Sequence, residues 1–287
     1  MIVGLPDIEA ITFDFGNTLV PVGRAQLHRV VELTADAIVG ADPRIDRAVF
    51  LSAWADERER QFAENVPQFR EVDIAERLVR VFARLRGVPA PTGGAGWDQV
   101  LAAEYSAETE ITSALVAYSD AFLAGLPPVP GVDGLLARLA ATGRTLAILS
   151  NWPLATTIDR YAERFGWSAS LAAIVVSERV GVIKPHPAIF AAAGAALGSP
   201  APRRILHVGD DWAADVAGAA AVGWRTAWVS ERPRDTPLPT SAPPETESAD
   251  LVLATVMDLE RRLEYRAVTG DGTGGSDLSG AVAARHR

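Results

Sequence analysis

Four carboxylates, one lysine and one serine stand where this chain could do chemistry. The apolar run Ile11-Thr12-Phe13 leads straight into Asp14, and Phe15-Gly16-Asn17-Thr18-Leu19 follows. Gly16-Asn17 tolerates a positive φ, so the chain can turn sharply there. A carboxylate at the C-terminal end of a buried strand sits where open α/β sheets place their ligands. A second run, Leu146 to Leu149, ends in the hydroxyl and amide of Ser150-Asn151. A third, Ile205 to Val208, ends in Gly209-Asp210-Asp211, with Asp215 one helical turn further on. Between them Gly181-Val182-Ile183-Lys184-Pro185-His186-Pro187 delivers a lysine just before a helix. Taken singly, each has a structural explanation: Ser-Asn after a strand turns or caps, and an Asp pair at a helix start complements its dipole.

The lysine carries more information than its type alone. Of the 27 basic residues, Lys184 is the single lysine. A coding bias toward Arg accounts for the excess of arginine but not for the one survivor. An ammonium is a compact point charge and a guanidinium a broad planar fork, so a site that needs the first cannot accept the second.

Composition removes several classes of function. Hydrophobic content of 48% with 22% charged residues is that of an ordinary globular protein, and 287 residues can bury a full core. A net charge of −9 argues against a nucleic-acid partner. With no cysteine, disulfides, thiolate metal sites and Cys nucleophiles are excluded. The first basic residue is Arg24, and Asp7, Glu9 and Asp14 interrupt the apolar N-terminal stretch, which is not the pattern of a signal peptide. No uncharged run is long enough to span a membrane. The expectation is a cytoplasmic protein with no membrane partner; the sequence sets no oligomeric state.

The elements that must position these residues follow from periodicity. Glu9 to Phe15 reads as a strand. From Pro21 the pattern is helical for roughly 100 residues, far longer than an ordinary connection. Leu27, Val30, Val31, Thr34 and Ile38 define one helix; Val49, Phe50, Trp54 and Phe62 a second; Ile74, Leu78, Val81, Phe82 and Leu85 a third. On that third helix Arg77, Arg80 and Arg84 share a face that reads as solvated, with recognition of an anionic substrate as the alternative. Trp97–Tyr105 and Ile111–Leu123 add further helices. After Pro127-Pro128-Val129-Pro130-Gly131 strands and helices alternate: strands at 145–150, 171–176, 204–208 and 226–229, helices at 132–141, 155–165, 187–197 and 211–221. Such alternation predicts βαβ units and a doubly wound parallel sheet. Residues 231–248 read as a loop, 251–253 and 256–263 as a last strand and helix, and 267–287 as a disordered tail. The expected organisation is an α/β core from 1–20 and 127–266, with an all-helical unit, 21–126, inserted just after Asp14.

Together and in this order, the segments around Asp14, Ser150, Lys184 and Asp210 resemble the four motifs of the haloacid dehalogenase superfamily, over about residues 9–265. The insertion resembles that superfamily's type-1 helical cap, and the core its Rossmann-like sheet. The resemblance implies an aspartyl-phosphate chemistry on a small phosphorylated substrate. Asp14 would be the nucleophile. Mg²⁺ would be held by Asp14, Asp210 and the backbone carbonyl of Gly16. Lys184 would place positive charge beside nucleophile and phosphate. Ser150, with Asn151, would donate to a phosphoryl oxygen. Thr18 would steady the nucleophile loop. Asp211 and Asp215 would be additional ligands, or would hold Lys184 or metal-bound water from behind.

One position departs from the pattern. Active phosphatases of the superfamily usually carry a second Asp two residues after the nucleophile, as leaving-group acid and later as base; here it is Gly16. The carbonyl survives and the acid/base does not. A substitute could come from the cap, where His28 lies on the first helix, or from His186 or His207. His207 reads as a satisfied core imidazole and His186 as a loop residue. Trp152 could stack on a substrate or pack beneath the cap. Three readings follow: a magnesium-dependent phosphatase slowed by Gly16, a binding or regulatory protein that keeps the pocket, and a dehalogenase, which the acidic cluster after Gly209 opposes.

Overall fold

The structure, a computed structural model, describes residue 5, residues 7–93 and residues 95–264. The tail expected over 267–287 lies outside the described residues. Six parallel strands make one sheet: β1 (Ala10–Phe13), β2 (Thr145–Ser150), β3 (Ala173–Val176), β4 (Ile205–Gly209), β5 (Arg225–Val229) and β6 (Leu251–Leu253). Their order, β3-β2-β1-β4-β5-β6, runs outward in both directions from β1. Both faces are covered, which is why the central strands are almost wholly apolar. Side chains alternate between faces. Ile11, Phe13, Leu146, Ile148, Leu206 and Val208 enter one core, with α6 (Val132–Ala141) and α7 (Ala155–Arg164) supplying Leu135, Leu136, Ile158 and Tyr161. Ala10, Ala147, Leu149 and Ile205 enter the other, against Ile189, Phe190 and Ala193.

Register places the site. Phe13 is level with Ile148 in β2 and with Val208 in β4, and Asp14 N donates to Val208 O at 2.8 Å. Asp14, Ser150 and Asp210 therefore emerge together at one edge of the sheet.

The connection from β1 to β2 is helical, as the sequence predicts. It carries α1 (Arg24–Ala41), α2 (Arg47–Asn65), α3 (Ile74–Leu85), α4 (Gln99–Ala103) and α5 (Glu108–Gly125), with α1 along α5 and α2 along α3. One expectation fails here. The arginines of α3 are not a solvated face: Arg77 and Arg80 are buried. Arg80 donates to Glu64 and Glu76, both at 2.9 Å, and Arg84 to Asp56 at 2.8 Å and Glu57 at 3.2 Å. Most of these acids come from α2, so α3 read by itself gives no sign of them.

The remaining helices are short: α8 (Ser177–Val180), α9 (Pro187–Ala196), α10 (Gly218–Ala221) and α11 (Leu259–Glu264). The helix expected over 211–221 begins as a π-wound segment, Trp212–Ala217, before α10. Residues 231–248 contain no helix or strand and lie across the site as a strap. Among the described residues, no helix is long and apolar enough to cross a membrane.

Candidate active site

Asn17 shapes the loop after β1. It takes the left-handed conformation, φ 58°, that asparagine accepts at little cost. Its backbone N–H donates to Val20 O at 2.7 Å, and its Oδ1 accepts from Val22 N at 3.2 Å. Its Nδ2 donates to Asp210 Oδ2 at 3.3 Å and to Thr236 Oγ1 at 3.1 Å. Thr18, expected to steady this loop, does not do so by hydrogen bonding: its Oγ1 is buried without a partner among the described residues. The carbonyl of Gly16 likewise accepts no hydrogen bond from a described residue and remains available.

Lys184 lies at the centre. An ammonium has three N–H donors, and all three are matched: Asp14 Oδ1 at 2.8 Å, Leu149 O at 2.9 Å and Asp215 Oδ1 at 2.6 Å. Burial works against the charged amine, but Asp14 and Asp215 outweigh it and raise its pKa above the ordinary value. Asn151 grips the same residue from behind: Lys184 N donates to Asn151 Oδ1 at 2.7 Å, and Asn151 Nδ2 donates to Lys184 O at 3.1 Å. The side chain expected to reach a phosphoryl group thus ties down the lysine loop instead.

Asp14, Asp210 and Asp215 are buried with ligand oxygens all within 4.8 Å of one another. Their environments differ. Asp215 accepts from Lys184, from His207 Nε2 at 3.0 Å and from Asp211 N at 2.9 Å. Burial raises its pKa, but Lys184 and His207 prevail and hold it below the usual carboxylate range. His207 is the satisfied core imidazole the sequence suggests. It is buried and so held below the ordinary histidine pKa, with Nδ1 2.8 Å from Thr12 Oγ1. The tautomer that suits both partners carries its proton on Nε2.

Asp14 is raised to about 6, first by burial and then by Asp215, against the pull of Lys184. Asp210 is raised to about 8 by burial and by the charges of Asp14 and Asp215. Arg232 offsets only part of this: its Nη1 donates to Asp210 O at 2.9 Å and stands 3.8 Å from Asp210 Oδ2. Two buried carboxylates left short of positive charge, beside a spare carbonyl, form an oxygen donor set that suits a hard divalent cation. Asp211 is turned away from this group. Its carboxylate caps the segment at 212–217, accepting from Ala214 N at 3.0 Å and Ser241 Oγ at 2.5 Å.

Ser150 Oγ is buried beside Asp14. It is near enough to draw that pKa down, yet has no partner of ordinary hydrogen-bond geometry. A donor in this state is free to turn toward an incoming oxygen. Trp152 packs rather than projects: its ring lies 5.1 Å from Phe122 and 5.3 Å from Phe15. His28 is exposed and 3.7 Å from Glu32, and His186 Nδ1 accepts from Ala188 N at the start of α9. Neither histidine belongs to the cluster.

The strap supplies what the sequence did not reveal. Thr236 holds Asn17, Arg232 faces Asp210, and Leu238 covers Gly16. A Cβ built on Gly16 would stand 2.6 Å from Leu238 Cδ1. An apolar side chain therefore occupies the direction in which an acid at position 16 would project. Nothing periodic marks these residues, and the Thr236–Asn17 contact joins positions 219 apart in the chain.

A doubly wound parallel sheet thus gathers carboxylates, a lysine and a serine at its carboxyl edge, where open α/β sheets place their ligands. The model of the haloacid dehalogenase-like hydrolase family matches residues 8–223, and the chain belongs to that family. It is 34% identical over 110 residues to pyrimidine 5'-nucleotidase YjjG of Escherichia coli, covering 38% of this chain and 48% of that protein. It is 36% identical over 135 residues to ribulose-1,5-bisphosphate 5-phosphatase of Halopiger xanaduensis, covering 47% and 52%. The chain spans about half the length of the curated relatives it matches. A 2-haloacid dehalogenase of Pseudomonas syringae shares the fold, with TM-score 0.59 at 20% identity over 89% of this chain and 98% of that one. So does the magnesium-bound HAD-hydrolase YfnB of Bacillus subtilis, with TM-score 0.53 at 17% identity over 90% and 99%.

Proposed function

We propose that this hydrolase is a magnesium-dependent phosphatase of small phosphorylated metabolites, with Asp14 as its nucleophile. The observation that carries the reading is the unequal treatment of the three carboxylates. Asp215 is saturated by Lys184, His207 and a backbone N–H, while Asp14 accepts from Lys184 alone and Asp210 from the Asn17 amide at 3.3 Å, and burial raises the pKa of both. The relatives support it: among them are a pyrimidine 5'-nucleotidase, glyceraldehyde 3-phosphate phosphatases and a phosphoserine phosphatase. Helices α1–α5, within 21–126, would act as a cap over a core of 1–20 and 127–266.

Asp14 and Asp210, with the Gly16 carbonyl, would hold Mg²⁺, which would neutralise charge on the transferring phosphoryl group. Lys184 fixes the Asp14 carboxylate through Oδ1, leaving Oδ2 to attack phosphorus. Its N–H groups are already committed, so it contributes charge and orientation. Ser150 Oγ donates to a phosphoryl oxygen. The bond from phosphorus to the leaving oxygen breaks as the acyl phosphate forms. Water then attacks phosphorus, releasing inorganic phosphate and the free carboxylate. Asp215 holds Lys184, and Asp211 serves the fold of the neighbouring segment.

Gly16 offers no proton to the leaving oxygen, and Leu238 fills that direction with hydrocarbon. Acyl and aryl phosphates, whose leaving groups need no proton, are the favoured class. The same two residues favour a second reading: a protein that binds phosphorylated ligands and turns them over poorly. Assay of acetyl phosphate, p-nitrophenyl phosphate and an alkyl phosphate, with Mg²⁺ or with chelator, separates these. The expected result is magnesium-dependent hydrolysis of the first two, lost in Asp14→Asn by about 10⁴-fold or more. Full activity of Asp14→Asn would end the proposal.

A further inference from the structure

The segment joining α2 to α3 reaches out of the inserted helices and bonds to the core at Ser177 and at Ile183. Glu71 Oε2 accepts from Ser177 Oγ at 2.6 Å, across 106 positions of chain. Phe69 O accepts from Ile183 N at 3.0 Å. Phe69 takes the left-handed conformation, φ 55°, which is costly for a bulky side chain. Its ring is 44% exposed, so packing returns little of that cost. In that conformation its carbonyl meets the Ile183 N–H. Glu71 is also anchored on its own side: Asn65 Nδ2 donates to Glu71 O and Val72 N to Glu71 Oε1, both at 2.9 Å. An open cleft of about 630 Å³ lies beside Glu71 and Ser177, so on that side hydrogen bonds rather than packing hold the junction.

Both contacts lead to the site by short links. Ser177 begins α8, and Val176 before it is level with Ser150 in β2. The Ser177 hydroxyl thus reaches the loop after β2 and accepts from Trp152 N at 2.9 Å. With its one proton committed to Glu71, that oxygen keeps lone pairs for the Trp152 N–H. Asn151, next to Trp152, bonds to both Lys184 N and Lys184 O. Ile183 precedes Lys184. The links close a ring that leaves the inserted helices at Glu71, passes through Ser177 and Asn151 to Lys184, and returns at Phe69.

We infer that Glu71 is a positioning residue for the reaction at Asp14: through Ser177 it holds the loop of Ser150 and Asn151, and with Phe69 it sets Lys184 against the nucleophile. The inference rests on the assignment of Asp14 and adds how the inserted helices serve it. Glu71 acts at one remove, since its side chain bonds to Ser177 and not to Asp14, Ser150 or Lys184. A carboxylate suits the task, because a charge-assisted hydrogen bond is about twice as strong as a neutral one.

Hydrogen exchange read by mass spectrometry tests the ring without turnover. Full-length wild type is compared with Glu71→Ala, Glu71→Gln, Ser177→Ala and Asp46→Ala. The last removes the N-terminal cap of α2 and no bond of the ring. In Glu71→Ala and Ser177→Ala, peptides covering 150–153 and 182–185 should exchange roughly tenfold faster. The second peptide decides, because neither substitution removes a bond that the Ile183 and Lys184 amides make. Asp46→Ala should lower Tm yet leave both peptides at the wild-type rate. With acetyl phosphate and Mg²⁺, Glu71→Ala should lower kcat about tenfold and change KM by less than about twofold. Glu71→Gln keeps an acceptor for Ser177 and should recover most of that loss. If Glu71→Ala does not fold, Ser177→Ala carries both measurements. Unchanged exchange at 182–185 in these variants overturns the inference and leaves Asp14 standing. Equally fast exchange there in Asp46→Ala overturns it too, since a general loss of stability would then suffice. Faster exchange with kcat unchanged also overturns it. Absence of turnover in wild type overturns the inference and the phosphatase reading together.

Discussion

Lys184 in the core and Arg77 among the inserted helices are 3% and 4% exposed, yet Lys184 meets three acceptors, two of them carboxylates, and Arg77 meets a single amide. Burial alone therefore does not say what a charge is for. The lysine is compensated by its own chain, which fixes it beside Asp14. The arginine rests on one amide and on the face of Trp54. The carboxylates differ in the same way: Asp215 accepts from three donors, Asp14 from Lys184 alone, and Asp210 from the Asn17 amide.

The largest effect should follow from breaking the matched cation. Lys184→Met strands Asp14 and Asp215 without their counter-charge and should cost about 3–5 kcal/mol, measured by urea unfolding, together with turnover. Lys184→Arg should not restore turnover, since a planar fork cannot meet three acceptors placed for an ammonium. Retention of wild-type stability in Lys184→Met would break the comparison at its firmer end.

Next in size is the vacated acid. Gly16→Asp combined with Leu238→Ala places a carboxyl where Leu238 now lies and makes room for it. The rate on an alkyl phosphate should rise by roughly 10²-fold, within the usual worth of a positioned acid/base. Gly16→Asp alone should give less, because its Cβ meets Leu238. An unchanged rate in the double variant would show that a missing acid is not what limits turnover.

Asn151→Ala removes two hydrogen bonds to the lysine backbone and should cost about 1–3 kcal/mol. It should lower kcat more than it raises KM, because it loosens the loop that positions Lys184. A pure KM effect would return Asn151 to the phosphate-binding role its place after β2 suggests.

The smallest effect is a pH dependence. Asp14 at about 6 and Asp210 at about 8 both lie above their unfolded values. The folded protein therefore binds protons more tightly than the unfolded chain. In chelator, the contribution of these groups to stability is fully present near pH 4 and is lost as pH rises through 6 and 8. The Tm gained on adding Mg²⁺ should accordingly be larger at pH 8 than at pH 5. An equal gain at both would mean that the cation does not meet these carboxylates.

Much of this was legible in the sequence because strand ends are. Apolar runs that stop at a polar residue marked Asp14, Ser150 and Asp210, and alternation beyond residue 127 dictated the parallel sheet. A single lysine among arginines singled out Lys184. Side-chain direction was not legible. Asp211 and Asn151 have the right type and place for ligand contact, yet one caps a helical turn and the other grips a backbone. The burial of α3's arginines depends on acids from α2, and no pattern within α3 contains them. The strap residues Arg232, Thr236 and Leu238 follow no period, so only the fold brings them to the loop after β1.

On the proposed reading, Asp14 forms an acyl phosphate that Gly16 leaves slow to hydrolyse. Wild-type protein mixed with acetyl phosphate and Mg²⁺, quenched in acid and digested, should carry one phosphoryl group on the peptide containing Asp14, detected by mass spectrometry. The adduct should be absent in Asp14→Asn and should decay faster in Gly16→Asp combined with Leu238→Ala. Turnover with no adduct on Asp14, or with an adduct on another residue, would contradict the account.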